Sequence, residues 1–138
     1  MVKFQTVIKL FKIKNWIKNL LIIIPIFFSA IIPDRQMILE LIILFFAFSL
    51  SASTIYIFND IIDKNTDKLD LIKKNRPLAS GLITIKDSIL IIIILMAILI
   101  IYLISTKNNV LNIFIIFYFL TNIFYTCFLK KIFFLDVC

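Results

Sequence analysis

The run Asn59-Asp60-Ile61-Ile62-Asp63-Lys64-Asn65-Thr66-Asp67 sets three carboxylates at separations of three, four and seven residues. On a helix, those separations put all three on one face. Like charges on one face repel, and beside a membrane they are costly unless something neutralises them. A divalent cation holding a polyphosphate would do so, because Mg²⁺ takes carboxylate oxygens together with substrate phosphate. Asn59, four residues before Asp63, adds an oxygen ligand on the same stripe, and Lys73, Lys74 and Arg76 follow shortly after. Carboxylates for a metal and cations for phosphate make a coherent diphosphate site. The competing reading is a solvated, salt-bridged helix end in which Asp60 pairs with Lys64 at i+4.

Apolar elements must position these charges. Of 138 residues, 62% are hydrophobic, and the mean hydropathy is +1.10, whereas a soluble domain is about half apolar. The chain therefore reads as an all-α integral membrane bundle. Spanning ~30 Å of hydrocarbon takes ~20 helical residues. Four stretches qualify: Leu20 to Ile32, Ile38 to Phe58, Ser88 to Ser105 and Val110 to Leu129. The first is short and interrupted by Pro25, so it is expected to tilt or to borrow residues from 17 to 33. It reads as an uncleaved membrane helix rather than a signal peptide. The acidic run is expected to continue the second helix past the membrane surface, with Pro77 and the sole glycine, Gly81, turning the chain back. Tyr56, Phe58, Trp16 and Tyr125 sit where interfacial aromatics are expected. The pairs Ala47/Ser51 and Ser49/Ser53 predict close helix packing.

A net charge of +7 in a soluble protein would suggest nucleic acid. Here the basic residues lie between apolar spans, so membrane topology accounts for them and no nucleic-acid partner is expected. Lys3, Lys9, Lys12, Lys14 and Lys18 precede the first span. Lys64, Lys68, Lys73, Lys74, Arg76 and Lys86 lie in the connection Asn59 to Asp87, and Lys130 and Lys131 follow the fourth span. Arg35 and Lys107 alone fall in the two short turns. This asymmetry predicts an inner-membrane protein with both termini and the 59–87 loop on the cytoplasmic side. Cys127 and Cys138 lack a metal-like spacing, and the chain has no histidine. The commonest general base and any His-based metal site are therefore excluded. No ionisable residue falls mid-span, which argues against a transporter.

Asn59 to Asp67 resembles the NDxxDxxxD signature of the UbiA superfamily of intramembrane prenyltransferases. Lys74-Asn75-Arg76-Pro77-Leu78-Ala79-Ser80-Gly81 resembles the basic RP-x-x-x-G segment that follows it there. Lys14-Asn15-Trp16-Ile17-Lys18-Asn19 is similar to the W-x-K-N entrance of the decaprenyl-phosphate phosphoribosyltransferase-like group, and Tyr125 to Val137 is similar to that group's segment after the fourth helix. The resemblance implies Mg²⁺-dependent transfer on a polyprenyl lipid, in this branch from phosphoribosyl pyrophosphate to polyprenyl phosphate. By carry-over, Asp60, Asp63 and Asp67 would coordinate Mg²⁺, with Asn59 beside them. Lys73, Lys74 and Arg76 would neutralise phosphate, with Lys18 and Lys130 in the same basin; Lys18 and Lys73 serve equally well as topology charges. No catalytic residue is assigned. The alternatives are a prenyltransferase using prenyl diphosphate and a non-enzymatic four-helix membrane remnant.

The family's enzymes carry more spanning helices than this chain can hold, and a second acidic motif. Asp34, Glu40, Asp70, Asp87 and Asp136 do not form one. Residues 1–138 are therefore expected to be the N-terminal part of a larger UbiA-type bundle, inactive alone. A separate chain carrying the C-terminal half is then an expected partner, beside the bilayer and the lipid substrate.

Overall fold

The computed structural model describes residues 4–28, 32–106 and 109–129, and among them every regular element is helical. Helix α1 spans Phe4–Phe11, a 3₁₀ segment Ile13–Ile23 and helix α2 Ile24–Phe28. Helix α3 spans Arg35–Ile62, α4 Lys64–Leu69, α5 Ile85–Ser105 and α6 Asn109–Phe124, the last continuing as a π turn over Tyr125–Leu129. Three helical stretches, Arg35–Ile62, Ile85–Ser105 and Val110–Phe128, are long and apolar enough to cross a membrane. They correspond to the second, third and fourth spans read from the sequence.

The first expected span takes a different form among the described residues. Residues 13–23 are 3₁₀ rather than α, and only the five residues from Ile24 to Phe28 are α-helical. Pro25 has no N–H to donate to a preceding carbonyl, so an α ladder cannot run through it. The 3₁₀ geometry also serves packing. Side chains three apart line up in a 3₁₀ segment, which rises ~2.0 Å per residue. Three residues thus advance ~6 Å, matching four residues of α-helix at ~1.5 Å each. Trp16 and Asn19 use this match: Trp16 Nε1 donates to Ser53 Oγ at 3.0 Å and Asn19 Nδ2 donates to Ser49 Oγ at 3.0 Å. The two segments therefore run antiparallel in register. Trp16 also meets Phe46 edge-on, so it anchors the segment on α3.

Helix α3 is the centre of the molecule and touches α1, the 3₁₀ segment, α5 and α6. Its small residues Ala47, Ser49, Ser51, Ala52 and Ser53 are all buried, which lets neighbouring backbones approach closely. By contrast, α5 and α6 leave Ile93, Ile98, Ile101, Phe114 and Phe117 exposed, as suits helices facing hydrocarbon. Two core clusters tie the bundle together. Leu44, Ala47, Leu99 and Ile115 form one. Leu10, Ile57, Leu78, Ile83 and Leu95 form the other, and three of its members lie within three residues of Lys12, Asp60 and Arg76.

Several carboxylates outside the acidic run have local structural roles. Asp34 caps α3 by accepting from the Met37 N–H at 2.8 Å. Thr84 and Asp87 form a capping box at the start of α5, satisfying N–H groups that a helix start otherwise leaves bare. Asp70 accepts from the N–H groups of Ile72 and Lys73 at 2.8 and 2.9 Å. Glu40 accepts from Gln36 one turn away.

Candidate functional site

The acidic run is helical, as its spacing predicts, with one irregularity at Asp63 between α3 and α4. The i→i+4 ladder nevertheless passes through it: Asp63 N–H donates to Asn59 O at 2.9 Å and Asp67 N–H to Asp63 O at 2.8 Å. Asp60 and Asp67, two turns apart, therefore face the same way. Both are buried, Asp60 at 1% and Asp67 at 4% exposure. Such carboxylates need counter-charges, because removing an ion from water costs several kcal/mol.

Arg76 supplies one counter-charge. Its Nη1 donates to Asp67 Oδ2 at 2.7 Å and to Asp60 Oδ1 at 3.2 Å. The chain brings it there through a compact turn. Asp70 caps a 3₁₀ turn over Lys73–Asn75, and Pro77 and Leu78 are buried just beyond. Ser80 N–H then donates to Arg76 O, and Ile83 N–H to Pro77 O. Gly81 closes the turn at φ +77°, a left-handed conformation that glycine adopts without a Cβ penalty. The N–H groups of Lys73 and Ile72 hold the exposed Asp70 carboxyl below its usual 3.8.

Lys12 supplies the other. Its Nζ lies 2.8 Å from Asp60 Oδ1 and 4.9 Å from the centre of the Tyr56 ring. Lys12 is the only non-glycine residue with positive φ among the described residues, at 50°. That left-handed conformation costs roughly 1–2 kcal/mol and falls at the bend where α1 gives way to the 3₁₀ segment. The Asn15 N–H donates to Lys12 O at 2.7 Å across the bend. Two buried carboxylates and two cations make a cluster of net charge zero. Asp60 Oδ2 stays buried without a hydrogen-bond partner among the described residues.

The sequence-derived candidates thus separate. Asp60, Asp67 and Arg76 come together directly. Asn59 and Asp63 are half-buried at the end of α3, bonded to each other through the backbone. Asp60 pairs with Lys12 and Arg76 rather than with Lys64, the partner in the competing reading. Lys73 is exposed and lies 3.6 Å from Asp70. Lys74 and Lys18 are exposed, and Lys130 lies outside the described residues. Lys12 was missed as a site residue: it reads as one of five N-terminal topology charges, and its contact spans 48 positions, beyond any spacing rule. Tyr56 lies half-buried beside the Lys12 amine.

A cavity of about 640 Å³ opens beside the cluster, lined by Lys9, Lys12, Lys14, Asn15, Lys73 and Arg76 with Ile8, Ile13, Ile72, Asn75 and Pro77. Five cations around one hollow suit an anionic ligand carrying more than one phosphate. A second cavity, about 720 Å³ and apolar, lies between the first segment and the start of α3, against Leu20, Ile23, Leu41, Phe45 and Phe46.

The acidic run fits a hard divalent cation in kind, since its donors are carboxylate oxygens and Asp60 Oδ2 is a buried oxygen that nothing described satisfies. Among the described residues, no three acidic, Cys or His side chains gather closely enough to form a metal cluster. Lys12 and Arg76 stand on Asp60 Oδ1, and Arg76 also on Asp67 Oδ2.

A family model described as the UbiA prenyltransferase family matches residues 22–138. An uncharacterised protein of Sinorhizobium fredii (y4nM) is 34% identical over 86 residues, 62% of this chain and 17% of that protein. A decaprenyl-phosphate phosphoribosyltransferase of Corynebacterium glutamicum is 34% identical over 80 residues, 56% of this chain and 24% of that protein. The chain therefore spans about a quarter or less of the length of these relatives. No solved structure matches it.

Proposed function

The chain belongs to the UbiA prenyltransferase family, and from that premise we propose that it forms the diphosphate-binding part of a membrane transferase acting on polyprenyl lipids. In the favoured reading, a phosphoribosyl group passes from phosphoribosyl pyrophosphate to a polyprenyl phosphate. The observation that carries this is the buried Asp60–Arg76–Asp67 cluster, opening onto a cation-lined cavity at the foot of an apolar helical bundle. The similarity to the Corynebacterium glutamicum protein favours the phosphoribosyl branch. The family's description favours the second reading, in which a prenyl diphosphate is the donor.

In the phosphoribosyl reading, an acceptor phosphate oxygen bonds to the anomeric carbon as the bond from that carbon to pyrophosphate breaks. The acceptor is already ionised, so the step needs no histidine base. Lys9, Lys12, Lys14, Lys73 and Arg76 would bind and orient the diphosphate, with Lys18, Lys74 and Lys130 as further candidates. Asp60, Asp63 and Asp67, with Asn59 beside them, would hold Mg²⁺, which would supply charge neutralisation of the leaving group. The apolar walls keep the reacting carbon from water. Under this reading, the acidic run and both termini face the cytoplasm across the inner membrane. Turnover belongs to the whole enzyme, with a C-terminal half supplied by the same or a separate chain.

The test is a transfer assay in membranes holding this chain with and without a matched C-terminal half. The inputs are labelled phosphoribosyl pyrophosphate, polyprenyl phosphate and Mg²⁺. Labelled lipid is expected only with both halves, and Asp63→Asn should abolish it. Transfer of a prenyl group instead would establish the second reading. Neither product, with both halves folded in the membrane, would defeat the transferase assignment.

A further inference from the structure

We propose that Lys12 is a positioning residue that covers Asp60 until a polyphosphate draws its amine away, so that divalent cation and diphosphate bind as a coupled pair. The inference rests on the diphosphate reading and goes beyond it. Asp60 and Asp67 carry two negative charges, and Lys12 and Arg76 balance them. A divalent cation approaching alone meets two carboxylates whose charge is already balanced, with Lys12 and Arg76 on Asp60 Oδ1, Arg76 also on Asp67 Oδ2, and Asp60 Oδ2 buried and unpartnered. For Asp60 and Asp67 to present net negative charge to a metal, at least one cation must move.

The geometry distinguishes the two. Arg76 bridges both carboxylates through one nitrogen at 2.7 and 3.2 Å, and its planar fork is preorganised for them. Lys12 makes a single carboxylate contact, to Asp60. Its amine sits on a flexible stem, keeps 21% side-chain exposure and borders the cation-lined cavity. A polyphosphate entering that cavity competes directly with Asp60 for the amine. Moving the amine leaves Asp60 with its Oδ1 shared only with Arg76 and its Oδ2 unpartnered. The anion thereby creates the negative charge that a metal requires, and by linkage the metal tightens the anion equally. The bend at Lys12, with φ at 50°, sets the amine between Asp60, Tyr56 and the cavity.

Electron paramagnetic resonance of Mn²⁺ with the purified full chain in detergent tests this, with and without inorganic pyrophosphate and with free Mn²⁺ corrected for its soluble pyrophosphate complex. Wild type should take up Mn²⁺ weakly alone and more tightly with pyrophosphate. Lys12→Met should bind Mn²⁺ alone about tenfold tighter, a discounted share of what one unit charge exerts at contact distance, and should gain less from pyrophosphate. Lys12→Gln keeps a hydrogen-bond donor to Asp60 without the charge, and should do the same should the Met variant misfold. Lys12→Arg should restore weak uptake, and Lys86→Met, which removes an exposed charge outside the cavity lining, should change nothing. Equal or weaker Mn²⁺ affinity in the folded Lys12 variants, with wild type still binding Mn²⁺ and pyrophosphate, would overturn the role of Lys12 and leave the diphosphate site standing. No Mn²⁺ or pyrophosphate uptake by any variant would overturn both.

Discussion

Arg76 places one guanidinium nitrogen between two buried carboxylates, 2.7 Å from Asp67 and 3.2 Å from Asp60. A buried pair of this kind contributes little net stability over an apolar replacement, yet losing one partner leaves uncompensated charge, at a cost of about 3–5 kcal/mol. Arg76→Met is therefore expected to lower stability by that order in a detergent unfolding titration and to abolish pyrophosphate binding. A combined Arg76→Met, Asp67→Asn variant should recover part of the stability but not the binding. Recovery of both would mean that the cluster is structural alone. Asp70 behaves differently, because it is exposed and serves the turn that delivers Arg76. Its carboxyl is held below 3.8 by backbone N–H donors. Such a group contributes stability that is complete above the unfolded value and is lost as pH falls through the lower folded value. The 70–76 turn should accordingly loosen only below about pH 4, and Asp70→Asn should remove that acid-dependent step in amide exchange of the Ile72 and Lys73 N–H groups.

At the scale of elements, the packing of the 3₁₀ segment on α3 decides where Lys12 stands. Ser49 and Ser53 are fully buried and receive Asn19 and Trp16. A larger side chain at Ser49 would push the two segments apart. Ser49→Leu is expected to cost about 1–3 kcal/mol, as overpacked interiors do, and to shift the emission of Trp16, the only tryptophan. An unchanged emission spectrum would show that the two segments are not in register there. The turn after Arg76 has a second sensitivity. A Cβ at Gly81 would meet nothing within 4 Å, so the cost of substitution lies in the positive φ alone. Gly81→Asn should be tolerated far better than Gly81→Val, which should lose about 1–2 kcal/mol.

For the whole molecule, α3 is the buried centre, while α5 and α6 turn large apolar surfaces outward. The topology proposed above puts residues 34–36 and 59–87 on opposite membrane faces. Cysteines at 36 and 68, in a chain freed of Cys127 and Cys138, should label from opposite sides of sealed vesicles, with position 68 on the same side as position 14. Labelling of 36 and 68 from one side would overturn the arrangement. The sequence alone determined the membrane class, three of the four spans, the helical acidic run and the resemblance to the family, because hydropathy and carboxylate spacing are local periodic signals. The tertiary structure decided the rest. Lys12 meets Asp60 across 48 positions and Arg76 joins two acids from a turn nine residues beyond Asp67, and neither contact has a sequence period. The 3₁₀ form of residues 13–23 matches a serine row on α3 that lies 30 to 37 positions away. Partner choice among buried charges is set by which segments pack together, and that is a property of the folded bundle rather than of any one helix.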